Sequence, residues 1–391
     1  MYNFKRHINY FRAFCRLIPA YFVLIILPHK LYAQDVLPVP DHIVILVLEN
    51  HAYAQIIGSD AAPYINALAG DTLSALFTES YGIEHPSQPN YLDLYSGCNQ
   101  GVTSDSFPTA SPFTTDNLGR QLLDDGKTFI SYSEGLPDVG FNGASSSSYA
   151  RKHNPAANWM GTGINQIPEY TNQPFSAFPT SDYSALPTVS FVFPNQNNDM
   201  HNGTDPSRIT IADTWMYDKL EGYIQWARTH NSLFILTFDE DNGSDNNHIV
   251  TIFNGPMVKP GEYADTINHY TVLRTIEDMY GLPYACNASS ATPILNSWTL
   301  ISALSETTND RIGFSVYPNP ARNKCTIHIE NSGFKSPATF GIYDMIGQKI
   351  LSDIIDNSRS NEIELRNISP GIYFVKISDG ERTSIKKLIV E

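Results

Sequence analysis

The chain has 391 residues, of which 40 are acidic, 25 are basic and 42% are hydrophobic, and its formal net charge is −15. This length exceeds the usual size of one domain, so two or more domains are expected. The acidic excess argues against a nucleic acid as the resting partner, because phosphate backbones bind basic surfaces. It agrees with an exported protein and with carboxylates that hold a cation.

The first 34 residues have the pattern of an export signal. Basic residues at positions 5, 6, 12 and 16 precede a largely apolar run over residues 17–27. Ala33 offers a small residue for cleavage near Gln34, and the apolar run is short for a membrane span. Cleavage would remove five basic residues and no acidic residue, which changes the net charge to −20. We expect the mature protein to be soluble outside the inner membrane.

Of the four cysteines, Cys15 would leave with the export signal. An oxidising compartment permits a disulfide between Cys98 and Cys286, with Cys325 left over. Three free buried thiols are the alternative, and the sequence leaves the pairing open.

The hydrophobic pattern changes once along the chain, which predicts two domains after the export signal. Residues 35–300 alternate apolar strands with amphipathic helices, residues 301–311 form a polar linker, and residues 312–391 show short alternating strands with Gly and Pro turns. The apolar runs of strand length in the first domain are residues 42–48, 129–132, 189–193, 233–238 and 248–253. Because these runs do not alternate, we predict an α/β fold, a mainly parallel sheet with helices on both faces.

Polar residues follow three of these predicted strands directly. Glu49 and Asn50 follow the first, residues 195–202 follow the third, and Asp239 and Glu240 follow the fourth. In parallel sheets ligands bind beyond the carboxyl ends of the strands, so these side chains should meet at one edge. Their oxygen donors suit Ca²⁺, Mg²⁺ or Mn²⁺. Taken singly, each acid is better explained as a solvated loop carboxylate, whereas their joint placement predicts a site.

Ser87 lies in a segment that we expect to begin a helix. Pro89 suits a first helical position, and Gly97 suits the left-handed residue that ends a helix. Ser87 would then sit just ahead of the helix N-terminus, where unpaired N–H groups and the helix dipole favour an anion such as phosphate. A plain N-cap serine is the alternative.

Five segments together resemble the phosphoesterase family, which contains secreted acid phosphatases and phospholipases C. They are residues 49–51 (Glu-Asn-His), 85–91 (His-Pro-Ser-Gln-Pro-Asn-Tyr), 152–155 (Lys-His-Asn-Pro), 198–201 (Asn-Asp-Met-His) and 238–241 (Phe-Asp-Glu-Asp). The resemblance covers about residues 40–300 and implies an alkaline-phosphatase-like fold. The phospholipase branch usually reads Pro-Asn-Arg where this chain has Pro89-Asn90-Tyr91, which favours the phosphomonoesterase branch.

The resemblance also implies roles for individual residues. Ser87 matches the nucleophile, and His153 and His201 match the histidines that contact phosphate; the matches at His85 and Asp199 are weaker. The implied metal ligands are Glu49, Asn50, Ser87, Asp239 and Glu240. The cation expected is Ca²⁺, Mg²⁺, Mn²⁺ or Zn²⁺, and its identity is left open. We expect His248 and His269 to be structural.

Residues 312–391 resemble the type A C-terminal sorting domain of type IX secretion, and their alternating strands predict a small all-β sandwich. The resemblance implies that the type IX machinery carries the protein across the outer membrane, for release or for attachment at the cell surface. A carbohydrate-binding β-module is the alternative, but no exposed aromatic row supports it.

These observations predict an exported, metal-dependent acid phosphatase that hydrolyses small phosphomonoesters through a phosphoserine at Ser87. Metal coordination lowers the pKa of a serine hydroxyl, and an acidic pH keeps a histidine protonated for the leaving group. The alternatives are a phospholipase C-type phosphodiesterase and a non-catalytic surface protein that binds ligands through the same fold.

Overall fold

The computed structural model describes residues 37–299, 312–329, 338–344, 348–355, 360–379 and 383–391. The predicted export signal and the predicted linker, residues 301–311, lie outside the described residues. The chain divides into two compact units, residues 1–298 and residues 299–391. Within the described parts, none of the helices has both the length and the apolarity needed to cross a bilayer.

A nine-stranded sheet forms the centre of the first unit. The strands of this unit are β1 His42–Leu48, β2 Ser74–Tyr81, β3 Phe129–Ser133, β4 Ser145–Ser146, β5 Tyr149–Ala150, β6 Asn172–Pro174, β7 Val189–Phe193, β8 Ser232–Phe238, β9 His248–Asn254, β10 Gly261–Tyr263 and β11 Ile267–Asn268. The sheet order is β10-β2-β9-β8-β1-β7-β3-β6, with β11 on β2 and with β4 and β5 forming a separate ribbon. Among the described strands of this sheet, only β9 runs antiparallel to its neighbours.

Helices cover both faces of this sheet. They are α1 Tyr53–Ile56, α2 Pro63–Ala69, α3 Ser87–Ser96, α4 Leu118–Asp124, α5 Ser207–Ala227 and α6 His269–Tyr280. Alternate residues of β1 point to opposite faces: Ile43 and Ile45 join a core with α3, α4 and α6, whereas Val44 and Leu46 join a second core with α2 and α5. The predicted α/β fold with a mainly parallel sheet is therefore confirmed, and burial on both faces explains the unbroken apolar runs.

Two local details differ from the sequence prediction. Helix α3 begins at Ser87, so Ser87 is its first residue and Pro89 its third. Proline is tolerated there because the first four N–H groups of a helix lack an intrahelical partner. Strand β2 was not among the predicted strands, although it lies within an apolar stretch and pairs with β9. Gly97, the predicted left-handed end of α3, has a φ angle of 69°, and Gly281 ends α6 in the same conformation with a φ angle of 66°.

A disulfide joins the end of α3 to the chain beyond α6. Cys98 and Cys286 are paired, with their Cα atoms 5.9 Å apart, and Cys325 is buried and free among the described residues. Gly97 lies so close to this junction that a Cβ atom there would stand 2.2 Å from the Ala285 carbonyl oxygen. The end of α3 is therefore held by the disulfide and by close backbone packing.

The second unit consists of two antiparallel sheets. Its strands are β12 Phe314–Tyr317, β13 Lys324–Ile329, β14 Ala338–Tyr343, β15 Lys349–Ile355, β16 Ser360–Glu364, β17 Gly371–Ser378 and β18 Thr383–Val390. One sheet has the order β12-β13-β16 and the other β15-β14-β17-β18. Side chains from both sheets, including Ile327 and Val375, share one core. This arrangement confirms the predicted small all-β domain.

Two buried acids in the first unit, Glu277 and Asp93, have hydrogen bonds to only one of their two carboxyl oxygens within the described residues. Glu277 Oε1 accepts from the Ala285 N–H at 2.7 Å and from Gln121 at 3.0 Å, and Asp93 Oδ1 accepts from the Tyr270 hydroxyl at 3.0 Å. In each acid the second carboxyl oxygen is buried without a hydrogen-bond partner in the described part of the chain. Burial raises the pKa of both Glu277 and Asp93 to about 7.

These two acids predict that the free energy of unfolding falls as the pH rises from about 4 to about 7. Their folded pKa values exceed the ordinary values of about 4, so the folded state binds more protons in this interval. Denaturant titrations of the oxidised protein at several pH values measure the slope of the free energy of unfolding against pH. The fluorescence of the four tryptophans reports unfolding of the first unit, because all four lie in it. Asp93→Asn and Glu277→Gln should each flatten the slope at fixed cation concentration. Slopes identical to that of the wild type would contradict the prediction.

Candidate active site

Strand register places two carboxylates side by side at the carboxyl edge of the sheet. In the parallel pair β1 and β8, Leu48 lies opposite Phe238, so the next residues, Glu49 and Asp239, leave the sheet at the same level. Both side chains are buried. Asp239 Oδ1 accepts from the Asn50 N–H at 3.0 Å and from the Glu240 N–H at 2.7 Å. The other oxygen, Oδ2, is buried without a hydrogen-bond partner among the described residues.

Ser87 brings a hydroxyl to these carboxylates. Its Oγ lies 2.8 Å from Glu240 Oε1 and 3.3 Å from Glu49 Oε2, and its side chain is buried. The loop before α3 is shaped by Asn90, whose Oδ1 accepts from the N–H groups of Ile83 at 2.8 Å and Glu84 at 2.9 Å. The position of the Ser87 hydroxyl is therefore set by the start of the helix and by this loop.

The positive end of α3 is partly occupied by the protein itself. The Gln88 N–H, in the first turn, donates to Asp105 Oδ1 at 3.1 Å. The sequence analysis expected unpaired N–H groups beside Ser87, and for Gln88 this expectation is wrong. The carboxylate of Asp105, from the loop between α3 and α4, therefore occupies the position at the helix N-terminus where an anion would bind.

Burial makes the carboxylate cluster electrostatically unfavourable. Burial, together with the charges of Glu49 and Glu240, raises the pKa of Asp239 well above its ordinary value, and burial also raises the pKa of Glu240. Burial works against a charged Glu49 as well, yet the neighbouring His153 holds the pKa of Glu49 well below its ordinary value. A bound cation would relieve the repulsion among the three carboxylates.

The donor set fits a divalent cation. Glu49, Ser87, Asp239 and Glu240 offer oxygen atoms within one buried cluster, and the unpaired Asp239 Oδ2 lacks the partner that a cation would supply. Asn50, with φ 47°, contacts Glu49 Oε2 through its Nδ2. A second arrangement shares Glu49: ligand atoms of Glu49, His153 and His201 lie within 4.8 Å of one another. Its mixed nitrogen and oxygen donors are typical of zinc.

The two histidines matched to phosphate contacts differ in their surroundings. His153 is buried, with Nε2 2.8 Å from Glu49 Oε1 and Nδ1 3.1 Å from Asp199 Oδ2. Although burial alone would lower it, Glu49 and Asp199 raise the pKa of His153 to about 9, so the ring is held as an imidazolium. The His201 ring is 5.6 Å from that of His153, is partly exposed, and has its Nε2 3.3 Å from Lys152 Nζ.

The other three histidines considered in the sequence make protein contacts. His85 contacts Glu240 through Nδ1, and its side chain is 47% exposed. His269 is buried, hydrogen-bonds the Asp239 carbonyl oxygen at 2.7 Å, and has a pKa lowered to about 4 by burial. His248 stacks on Tyr53 and hydrogen-bonds a backbone carbonyl of β2 at 2.9 Å.

Sequence reasoning missed two contributors to this site. The Tyr91 hydroxyl donates to Glu49 Oε1 at 2.9 Å, and its ring stacks on His153. Tyr91 lies four residues after Ser87 in α3, and residues at this spacing share a helix face, so the spacing was a usable signal. Asp105 lies in a polar loop with no periodic pattern, and nothing in its surroundings in the sequence points to the site.

Comparison with known proteins identifies the family to which this sheet and this buried cluster belong. Residues 59–283 match the Phosphoesterase family, and residues 315–391 match the secretion system C-terminal sorting domain. The chain belongs to the Phosphoesterase family. Its sorting domain marks it for export, to the outside of the cell or to the cell surface.

The relatives include named phosphatases. A phosphatidylinositol-3-phosphatase of Mycobacterium tuberculosis is 44% identical over 267 residues, which are 68% of this chain and 85% of that protein. An acid phosphatase of Aspergillus fumigatus is 28% identical over 263 residues, which are 63% of this chain and 58% of that protein. A solved structure of a protein in the alkaline phosphatase superfamily from Vibrio parahaemolyticus aligns with 90% of this chain and 82% of that chain, at 10% identity and a TM-score of 0.46.

Asp239→Asn is predicted to weaken cation binding while stabilising the cation-free protein. The change removes a ligand charge and, for the same reason, removes repulsion against Glu49 and Glu240. Calorimetric titration with Mg²⁺, Ca²⁺, Mn²⁺ and Zn²⁺ should show an affinity loss of about tenfold or more for the preferred ion. In the presence of a chelator, the thermal midpoint of unfolding of Asp239→Asn should lie above that of the wild type.

Glu277→Gln is the matched control, because Glu277 is equally buried but contacts none of these carboxylates among the described residues. It should leave cation affinity unchanged. Wild-type affinity in Asp239→Asn, or an equal loss in both variants, would contradict the ligand assignment.

Proposed function

We propose that this protein is an exported, divalent-cation-dependent phosphatase that hydrolyses phosphomonoesters through a phosphoserine at Ser87. The observation that carries the proposal is the buried Ser87 hydroxyl at the start of α3, 2.8 Å from Glu240 and 3.3 Å from Glu49. Glu49, Asn50, Asp239 and Glu240 would hold the cation together with Ser87. The bound cation would lower the pKa of the serine hydroxyl and offset charge on the phosphoryl oxygens.

The reaction needs two displacements at phosphorus. In the first, Ser87 Oγ forms a bond to phosphorus, the bond from phosphorus to the ester oxygen breaks, and the hydroxyl proton passes to Glu240 Oε1. In the second, a water oxygen forms a bond to phosphorus while the bond from phosphorus to Ser87 Oγ breaks. Glu240 returns the proton to Ser87 Oγ, the proton lost by water passes to the histidine that protonated the leaving alcohol, and phosphate is released. Helix α3 contributes its positive end to the oxygens that gain charge in both steps.

The surroundings of the two histidines suggest different tasks. His153 lies between Glu49 and Asp199, so it orients Glu49 and supplies a fixed positive charge close to the reacting group. The His201 ring forms no ion pair with a carboxylate among the described residues and is partly exposed, although the His201 backbone N–H donates to Asp199 Oδ1 at 2.8 Å. We assign His201 to the substrate phosphate and to proton transfer to the leaving alcohol.

The relatives favour monoesters as substrates. Both curated relatives described above are named phosphatases, and one is named for a lipid that carries a phosphate monoester on its headgroup. Because the chain covers 85% of that relative at 44% identity, a phosphorylated headgroup is a reasonable test substrate alongside small monoesters. The phospholipase C alternative predicts cleavage of phosphatidylcholine instead, and the binding-protein alternative predicts no turnover.

Ser87→Ala should reduce kcat on p-nitrophenyl phosphate by about a thousandfold or more, because the covalent route is lost. Its thermal midpoint should stay close to that of the wild type, and so should its ability to bind the cation through the remaining ligands. Ser96→Ala is the matched control: Ser96 is buried in the same helix and hydrogen-bonds only backbone and Gln100 within the described residues. It should retain activity.

Acid quenching of the wild type with ³²P-labelled substrate should trap label on the peptide that contains Ser87. Chelator should abolish turnover, and one divalent ion should restore it. Full activity in Ser87→Ala would refute the nucleophile assignment, and activity unaffected by chelator would refute the cation. Faster cleavage of phosphatidylcholine than of monoesters would favour the phospholipase C alternative.

A further inference from the structure

An ion pair beside the candidate nucleophile has no part in the chemistry proposed above. Lys152 Nζ lies 2.7 Å from Asp105 Oδ2 and 3.3 Å from His201 Nε2. The Lys152 side chain is only 16% exposed, and that of Asp105 is 34% exposed. A largely buried lysine is thus placed against the histidine assigned to the substrate phosphate.

The second oxygen of Asp105 contacts the start of the nucleophile's helix. Asp105 Oδ1 accepts from the Gln88 N–H at 3.1 Å, one residue after Ser87. The Gln88 side chain holds the loop that carries Asp105, because its Nε2 donates to the carbonyl oxygens of Ser104 and Ser106, each at 2.7 Å. The Asp105 carboxylate therefore bridges a lysine and a helix N-terminal amide, which are the two kinds of donor that commonly bind phosphate oxygens.

We propose that Lys152 and the Gln88 N–H form a subsite for the third non-bridging oxygen of a phosphomonoester, and that the Asp105 carboxylate fills this subsite in the free enzyme. The inference rests on the proposed function. A monoester carries three non-bridging oxygens and two negative charges, whereas a diester carries two such oxygens and one charge. Lys152 is therefore the residue that selects monoesters over diesters.

A phosphate subsite and a merely structural ion pair predict different effects of substituting Lys152 and Asp105 on phosphate affinity. If the pair only supports the fold, removing either charge leaves the other partly buried and unpaired, so both variants should harm the protein alike. If the subsite binds phosphate, Lys152 attracts the ligand and Asp105 competes with it. The two variants should then change phosphate affinity in opposite directions.

The experiment compares Lys152→Met, Lys152→Arg and Asp105→Asn in the mature full-length protein loaded with its cation. Two substrates are used, p-nitrophenyl phosphate and bis-p-nitrophenyl phosphate, and inorganic phosphate serves as competitive inhibitor. The controls are Lys127→Met and Asp71→Asn. Lys127 forms an ion pair with Asp125, and Asp71 forms one with Arg228, and all four side chains are partly exposed. Lys127 and Asp71 lie shortly before β3 and β2, at the ends of these strands opposite to the site.

Lys152→Met should lower kcat/KM for the monoester by about tenfold to 100-fold, which is the loss expected for one charge-assisted hydrogen bond. The diester should lose less than about threefold, and the Ki of phosphate should rise by the same factor as the monoester loss. Lys152→Arg should recover most of the monoester activity. Asp105→Asn should lower the Ki of phosphate by about threefold or more, and the controls should change neither quantity.

Equal losses on both substrates in Lys152→Met would overturn the inference, as would a Ki that rises in both Lys152→Met and Asp105→Asn. These results would leave the proposed function intact, because the wild type would still turn over monoesters. If the wild type shows no cation-dependent turnover, the proposed function fails instead. Calorimetric binding of phosphate then decides the subsite: weaker binding in Lys152→Met and tighter binding in Asp105→Asn would support it, and unchanged binding would overturn it.

Discussion

The site depends on one constraint, the register between β1 and β8, which brings the carboxylates of Glu49 and Asp239 out of the sheet at the same level. Like charges so close together in a buried place are unfavourable, and the surrounding contacts offset that cost. The Asn50 N–H and the Glu240 N–H donate to Asp239, and His153 places a positive charge against Glu49. The cation that we propose would complete the balance, and the Ser87 hydroxyl lies where that cation and a substrate phosphate would meet.

Helix α3 links this cluster to the rest of the fold. Residues four apart on a helix lie on one face, so Ser87 and Tyr91 both reach the carboxylates while Tyr95, one turn further, packs into the core. At its other end the helix stops at Gly97, beside the disulfide that starts at Cys98. Ser87, the proposed nucleophile, therefore sits at the start of a helix that is held at one end by the hydrogen bonds of Asn90 to the preceding loop and at the other by the disulfide.

Much of the architecture could be predicted because its signals are local. Unbroken apolar runs indicate β1, β7 and β8, and the rule that the carboxyl ends of parallel strands meet at one edge predicts that Glu49 and Asp239 lie together. The direction of β9 and the contact between Asp105 and Gln88 could not be predicted in this way. Both depend on the path of a connecting segment between two helices or strands. That path is determined by tertiary contacts between residues far apart in sequence, which the local pattern does not contain.

The repulsion among the buried carboxylates makes the proposed cation binding depend on pH. Burial and mutual repulsion raise the pKa of Asp239 and Glu240, so protons and a cation compete for the same oxygens. Protonation of these carboxylates relieves the repulsion, and a bound cation would relieve it as well. A cation that binds only the folded site would also stabilise the fold by mass action. Under the proposed function, the site would therefore assemble fully only where divalent ions are present and where the pH is high enough to keep its carboxylates unprotonated.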